Sequence, residues 1–558
     1  MKLIEKLKIP AAKIIKLNLN QLSKNYQLEK LIPALIISGF FLINLIILTK
    51  FPFIHSDEAW LSGLSRQIAA THSLKSTESF FDLMPRHPHA IKIFFHLIQI
   101  SFSKIFGYHI FTFRLISLLS GTAALYFFYR IAQLITADNY LSNLAVLTLA
   151  VDIHFIYSSH LARQEIILVL IILIAFYYFL SKIAPGFKHK FVSYADHKVK
   201  NHFNQKHINL ALILVTAIGF HPNALIIAMP FIFIYNWQLI FKNNLKRQEY
   251  LNFMLTIALG GAFFILISLS LDSNFFSNYS NYGNGLGVFA PFSVKISRLI
   301  DFYKKIFYRI SGTYYIPPVK LQLIIFLLIT ITACYKLIKM KLSHFNNKNT
   351  KLIFYFLISL LAINFAYILI GRYNQTSIIF IFPFYYLLFF SLIKNLKFKI
   401  KTLLSGSLII ILCLTTFITL KADSSNNYQL YLKNISHSVP AQTKVLANLN
   451  SAYYFSRGSL FDYRNLAYLK QNKLSFADYI NKNKIKYIIY PEEMDYIYQT
   501  RPTWNILYGN LYPYYEQLQL YLKENCHLIY QFSSPTYGNR IVSQIDQKNW
   551  SIKIYLVE

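Results

Sequence analysis

Apolar residues along this chain come in long runs separated by short polar loops rich in lysine. The runs cover 31–49, 112–134, 141–157, 167–180, 208–220, 224–241, 251–271, 319–336, 352–371, 377–393 and 402–420. Several reach the roughly 17–25 residues an α-helix needs to cross a bilayer core, so the pattern predicts a polytopic α-helical membrane protein of about 11 spans. A further apolar run, 90–106, is short and is interrupted by Lys92, His96 and Lys104. It predicts a helix lying in the membrane interface with its apolar face down. The run 31–49 is too long for the core of a cleaved signal, and no small-x-small site follows it, so it is expected to stay as the first span.

The lysines orient these spans. The segment 1–30 carries Lys2, Lys6, Lys8, Lys13, Lys16, Lys24 and Lys30, and basic segments stay in the cytoplasm. With 90–106 lying flat, the basic loops 182–207, 242–247, 336–351 and 394–401 all fall on that same side. Counting 90–106 as a span would invert every later loop. From 421 onward the chain is polar, has no spanning run, and by the same count is external. Short β-rich runs at 444–449 and 486–490, with a helical stretch at 476–484 between them, predict a small α/β domain. The expected organisation is a cytoplasmic basic N-terminus (1–30), a membrane domain (31–420) and an extracytoplasmic α/β domain (421–558).

Composition agrees. The chain is 55% hydrophobic with a mean hydropathy of +0.38, too apolar for a soluble globule. The 56 basic against 23 acidic residues, a net +33, do not indicate nucleic acid. They sit in the short loops, as the positive-inside bias and attraction to anionic lipids require. Cys334, Cys413 and Cys526 have neither metal-ligand spacing nor a disulfide pattern.

Where acids are this scarce, an adjacent pair just past the first span stands out. It lies in Ile54-His55-Ser56-Asp57-Glu58-Ala59-Trp60. The other external ends hold Arg86-His87-Pro88, Arg114, His160, Arg163, Glu165, His221, Arg372 and Tyr373, with Asp152 and His154 close by within a span. Taken singly, each is explained by interfacial snorkelling or a helix-end contact. Together, on one side of the membrane, they suit a particular reaction. A hydroxyl acceptor needs a carboxylate to take its proton. A lipid-phosphate leaving group needs cations and hydrogen-bond donors to hold its charge. Glycosyl transfer from a polyprenyl-phosphate sugar calls for both, and for a pocket open to the bilayer.

On these residues the chain resembles the membrane-embedded glycosyltransferases of the GT-C superfamily, in the branch of protein O-mannosyltransferases and lipid A aminoarabinose transferases. The matching features are Asp57-Glu58 after the first span and Glu58-Ala59-Trp60 opening a helix. His87-Pro88 follows, with His89 in place of a second proline. Then come Phe106-Gly107 with Arg114-Leu115 entering the second span, Arg163-Gln164-Glu165 after the third, and Arg372-Tyr373 before a late one. Each motif is short, and their order, spacing and side carry the likeness. It implies two interfacial helices in the first external loop, and inverting transfer with polyprenyl phosphate leaving. It also implies Asp57 as general base, with Glu58 and Glu165 as the other catalytic carboxylates. Arg372, His221, Arg114 and Tyr373 would hold the donor phosphate, and His87, Arg86 and Arg163 would shape the site. Asp152-Ile153-His154 departs from the family's proline-containing stretch. The resemblance admits a divalent metal without requiring one, and leaves open whether the acceptor is protein, lipid A, a glycolipid or a wall polymer. Tyr453-Tyr454-Phe455 and the tyrosine-rich stretch 508–521 suit sugar stacking or a domain core. A transporter or flippase of a lipid-linked sugar is the alternative, though such folds favour mid-membrane charges and internal repeats.

Overall fold

The computed structural model describes residues 31–78, 80–184, 205–242, 245–285, 287–308, 316–339, 347–371, 373–423, 427–534 and 550–558. Every one of the apolar runs is helical. The first part of the chain gives α1 (Leu31–Ile47), α2 (Ser56–Thr71), α3 (Ile93–Phe106), α4 (Ile110–Thr136), α5 (Asn139–Ala150), α6 (Ile153–His160), α7 (Glu165–Tyr178) and α8 (Gln205–Thr216). The rest of the helical part gives α9 (Ala224–Trp237), α10 (Arg247–Leu271), α11 (Phe275–Gly285), α12 (Phe292–Tyr308), α13 (Lys320–Lys339), α14 (Lys348–Ile370), α15 (Phe382–Ile393) and α16 (Phe398–Ala422).

Among the described residues, eight helices are long and apolar enough to cross a membrane, and α5 with α6 makes a ninth bent by 60°. Helices α1 and α8 are shorter. The segment Gln375–Ile393, containing α15, is the most enclosed span, with 89% of its apolar window buried, whereas for α10 the figure is 11%. A helix apolar all round and wholly enclosed belongs at the centre of a bundle. One such as α10, or α1 with Leu35 and Ile46 exposed at 69% and 74%, needs lipid on its outer face.

The break between α5 and α6 has a local cause. Asp152 caps α6, its Oδ1 accepting from the backbone N–H of His154 (2.8 Å) and Phe155 (3.0 Å) while its Oδ2 accepts from Tyr386 (2.7 Å). An aspartate N-cap restarts a helix in a new direction, so the straight span expected over 141–157 is two helices. Helix α6 packs closely on α4 because Gly121 has no side chain. A Cβ there would stand 2.2 Å from Ser159 Oγ.

Two helices, α2 and α3, lie between α1 and α4, as the resemblance implied. The stretch between the apolar runs 251–271 and 319–336 is not bare: it contains α11 and α12. At the chain's end come α17 (Tyr428–Ser436), β1 (Val445–Ala447), β2 (Leu460–Asp462), α18 (Phe476–Asn483), β3 (Tyr487–Pro491), α19 (Glu493–Thr500), α20 (Tyr515–Glu524), β4 (Cys526–Ser534) and β5 (Trp550–Val557). The strands form one mixed sheet in the order β2-β1-β3-β5-β4, parallel across its first three strands and antiparallel across the rest. Alternate side chains point to opposite faces. Val445, Ala447, Ile489, Ile552 and Ile554 join the core that continues into the membrane part. Leu446, Ile488 and Tyr490 face a second core with α18, α19 and α20.

This sheet unit is fastened to the loop between α2 and α3. Asn465 Nδ2 donates to Phe80 O (2.7 Å), and Tyr479 and Asn483 donate to Asp82 (2.8 and 3.2 Å). Phe80 in turn lies on Gly63 of α2, where an added Cβ would meet its ring at 2.4 Å. The sheet unit therefore covers the end of the bundle at which α2 sits.

Candidate active site

Helix α2 begins with a capping box. The His55 side chain accepts from Asp57 N (3.1 Å), and Glu58 Oε1 accepts from His55 N (2.9 Å). A polar residue followed three positions later by glutamate is a helix-start signal, so local sequence already accounts for one role of Glu58. Its second role is tertiary. Glu58 takes Arg114 in a two-pronged pair, Nε–Oε2 2.9 Å and Nη2–Oε1 2.8 Å, and also accepts from Ala162 N (2.8 Å). The remaining Arg114 N–H groups go to the carbonyls of Leu48 (3.0 Å), Pro52 (2.8 Å) and Phe53 (3.3 Å). Both side chains are 0% exposed.

This corrects two expectations. With all five donors of Arg114 taken, it ties α1, α2 and α4 together instead of meeting a donor phosphate. Glu58 is its buried partner and has no opening to a substrate. Charges held this deep are tolerated only when paired and fully hydrogen-bonded.

Asp57 is in a different setting one residue earlier. Its Oδ2 pairs with Arg163 Nη1 at 2.9 Å. Arg163 also holds Glu165, Nη2–Oε1 3.0 Å and Nε–Oε2 3.3 Å. Glu165 Oε1 accepts from Thr376 Oγ1 at 2.6 Å. The exposures run 26% for Asp57, 7% for Arg163 and 4% for Glu165, so the chain of charges opens outward at Asp57. Burial opposes the charge on Arg163, but Glu165 and Asp57 outweigh it and raise its pKa above the ordinary arginine value. The turn after α6 puts Arg163 here, and α7 starts at Glu165. Thr376, on the entry to α15, was not among the expected residues. Nothing local marks it, because its contact spans 211 positions of sequence.

The other expected residues divide. His221 Nδ1 accepts from Asn223 N (3.0 Å), and Asn223 Nδ2 donates to Ser377 Oγ (3.1 Å), which brings the start of α9 beside the Thr376 segment. Tyr373 donates its hydroxyl to Lys295 O and packs on Phe302 at 5.8 Å, fastening α12. Arg372 lies outside the described residues. Arg86 reaches Glu78 Oε1 (3.4 Å), which also accepts from Trp60 Nε1 (2.7 Å), so it buttresses α2. His87 is 49% exposed and stands 3.8 Å from Asp272 Oδ2. His160, expected at an open end, is wholly buried with Nδ1 2.7 Å from Phe51 O. Tyr453 is half-buried against Tyr108 and Phe113, and its hydroxyl meets Ser62 Oγ at 3.0 Å.

Among the described residues, no three His, Cys, Asp or Glu side chains converge in the manner of a metal site. The guanidinium of Arg163 lies between Asp57 and Glu165 instead.

Eight or nine spans among the described residues, two helices between α1 and α4, and a sheet unit over the site end make this a polytopic membrane protein with the fold of a known membrane transferase, ArnT. It superposes on the crystal structure of ArnT from Cupriavidus metallidurans bound to undecaprenyl phosphate. The TM-score is 0.58, covering 93% of this chain and 97% of that one at 10% identity. Looser likenesses are the Archaeoglobus fulgidus oligosaccharyltransferase AglB with an inhibitory peptide and a dolichol-phosphate (TM-score 0.46, 11% identity, 82% of this chain and 70% of that) and the oligosaccharyltransferase of the same organism with Zn and sulfate (0.44, 12%, 82% and 68%). No family model and no curated protein matches the sequence.

Proposed function

We propose that this protein is a glycosyltransferase that moves a sugar from a polyprenyl-phosphate donor to an acceptor hydroxyl, with inversion, on the extracytoplasmic face of the membrane. Support comes from the GT-C fold, since ArnT with that fold was crystallised with undecaprenyl phosphate. One observation carries the reading: of Asp57, Glu58 and Glu165, Asp57 alone is accessible, at 26%, at the end of the bundle beneath the sheet unit. Asp57 Oδ2 is committed to Arg163, and Oδ1 lies 3.8 Å from His55 Nδ1. The acceptor proton passes to Oδ1 as the acceptor oxygen bonds to the anomeric carbon. The bond from that carbon to the phosphate oxygen breaks, and polyprenyl phosphate leaves with the electron pair. Glu165 keeps Arg163 oriented, so that Asp57 stays aimed as a base. Arg372, which follows Gly371 directly, is assigned to the departing phosphate together with His221, while Tyr373 keeps its hydroxyl on Lys295 O. The positive charge beside Asp57 and Glu165 is supplied by Arg163, so no step is routed through a metal ion.

The test is Asp57→Asn in membranes supplied with polyprenyl-phosphate sugar. Transfer to a hydroxyl acceptor should fall by about 10²–10⁴-fold, the usual contribution of a positioned base, with donor binding retained. Transfer at the native rate removes Asp57 from the mechanism. Movement of the donor across the membrane without transfer, in the native protein, supports the flippase instead.

A further inference from the structure

A groove of about 360 Å³ opens where α17 meets the start of α4. None of Asp57, Arg163 and Glu165 lines it, and the proposed reaction does not use it. His109, Gln429, Lys433 and Ser436 line it, with the rings of Tyr428 and Tyr454 as walls. The two ring hydroxyls are committed elsewhere, Tyr428 to Asn450 O and Tyr454 to Val439 O, both at 2.6 Å. The Ser436 hydroxyl likewise donates to Lys433 O at 2.8 Å, so what the groove offers a ligand is an ammonium, an imidazole and an amide. No carboxylate is among its lining residues. Such a set selects an anion rich in hydrogen-bond acceptors.

The rim says where that anion comes from. His109 and Ile110 are bracketed in sequence by Phe106, 49% exposed, and Phe111, 38% exposed, with Ile105 at 73% just before them. These large apolar side chains stand at the junction of α3 and α4, where the membrane part ends and the sheet unit begins. A cationic groove with an apolar flank at that level matches a headgroup and the upper part of its acyl chains.

We propose that this groove binds the phosphate of an anionic phospholipid. Lys433 and His109 hold the phosphate, Gln429 the glycerol or headgroup oxygens, and the acyl chains lie along Phe106 and Phe111. The site also has a route to the centre already described. Tyr453 lines the groove, and its hydroxyl meets Ser62 Oγ at 3.0 Å on the helix that begins with Asp57. A bound lipid therefore braces the sheet unit against α2. The proposal stands on the groove and its rim, independently of the transferase reading.

The test uses the full-length protein, delipidated in a neutral detergent and titrated with phosphatidylglycerol or phosphatidylcholine. Binding is read by native mass spectrometry and by thermal melting. Phosphatidylglycerol should remain bound and raise the melting temperature, and phosphatidylcholine should bind at least about tenfold more weakly. Lys433→Glu should lose that preference. Because Lys433 is exposed, the variant should fold normally, and Lys470→Glu on a distant exposed surface should behave as the native protein. Equal binding of the two lipids, or an unchanged preference in Lys433→Glu, overturns the proposal. So does equal competition by inorganic phosphate, which would make the groove a free-phosphate site, or competition by a soluble disaccharide, which would make it a glycan site.

Discussion

Asp57 and Glu58 are chemically alike and adjacent in sequence, yet the fold treats them in opposite ways. Glu58 points into the protein, where it meets a two-pronged arginine and two backbone N–H groups and loses all contact with solvent. Asp57 leaves the same first turn of α2 in another direction and keeps a quarter of its surface open. Successive residues on a helix are about 100° apart, so one member of an acid pair can anchor the helix while the other faces the site. The anchor serves the site. Arg114 and Glu58 fix where α2 begins, and Asp57 is in its first turn. A saturated pair gives precision, and an open one gives chemistry.

The comparison breaks most severely at the anchor. Arg114→Met leaves Glu58 buried without its counter-charge, a loss of about 3–5 kcal/mol. The expected result is little folded protein, read as a collapsed monodisperse peak in fluorescence-detected size exclusion. A native melting temperature would mean the pair is not the anchor. Next comes Asp57→Asn, whose loss of transfer should be accompanied by a melting temperature close to native, because a partly exposed acid contributes little to stability. Glu58→Gln should show the reverse, with instability dominating.

Thr376→Val sharpens the open side. It removes the hydroxyl on Glu165 with little change of volume, and the rate should fall about tenfold, in line with one lost hydrogen bond to a charged group. If Thr376 positions Glu165 and Arg163, kcat falls while KM for the acceptor holds. A change in melting temperature alone would make the contact merely structural. The smallest effect belongs to Ser62→Ala. It removes the hydrogen bonds that Ser62 Oγ makes with the hydroxyls of Tyr453 and Tyr108, each of about 0.5–1.5 kcal/mol. The melting temperature should drop by a few degrees with transfer nearly intact.

Much of the architecture was legible in the residues. The apolar runs located the spans, and Lys92, His96 and Lys104 marked α3 as something other than a full crossing. The short runs at 444–449 and 486–490 located β1 and β3. Three features were harder to read. Asp152 inside an apolar run reads as a charge within a span, whereas it is the N-cap that breaks that span. The alternating pattern of Trp550–Val557 is short and isolated in a polar stretch, and it pairs as β5 only beside β3 and β4. The helices α11 and α12 were hidden in a stretch whose polar residues suggested only loop.

Sequence by itself determined that this chain lives in a membrane, roughly where it crosses, and which scarce acids and arginines collect at one end. It did so because the hydrophobic effect and the placement of lysines act locally, on whatever stretch carries them. Only the tertiary structure decided that Arg114 belongs to Glu58, that Arg163 is shared by Asp57 and Glu165, and that Thr376 closes the set. Apart from Arg163 and Glu165, which are two positions apart, those pairings join residues from 56 to 211 positions apart. A guanidinium accepts any carboxylate within reach, so its choice is fixed by packing and not by its neighbours in the chain.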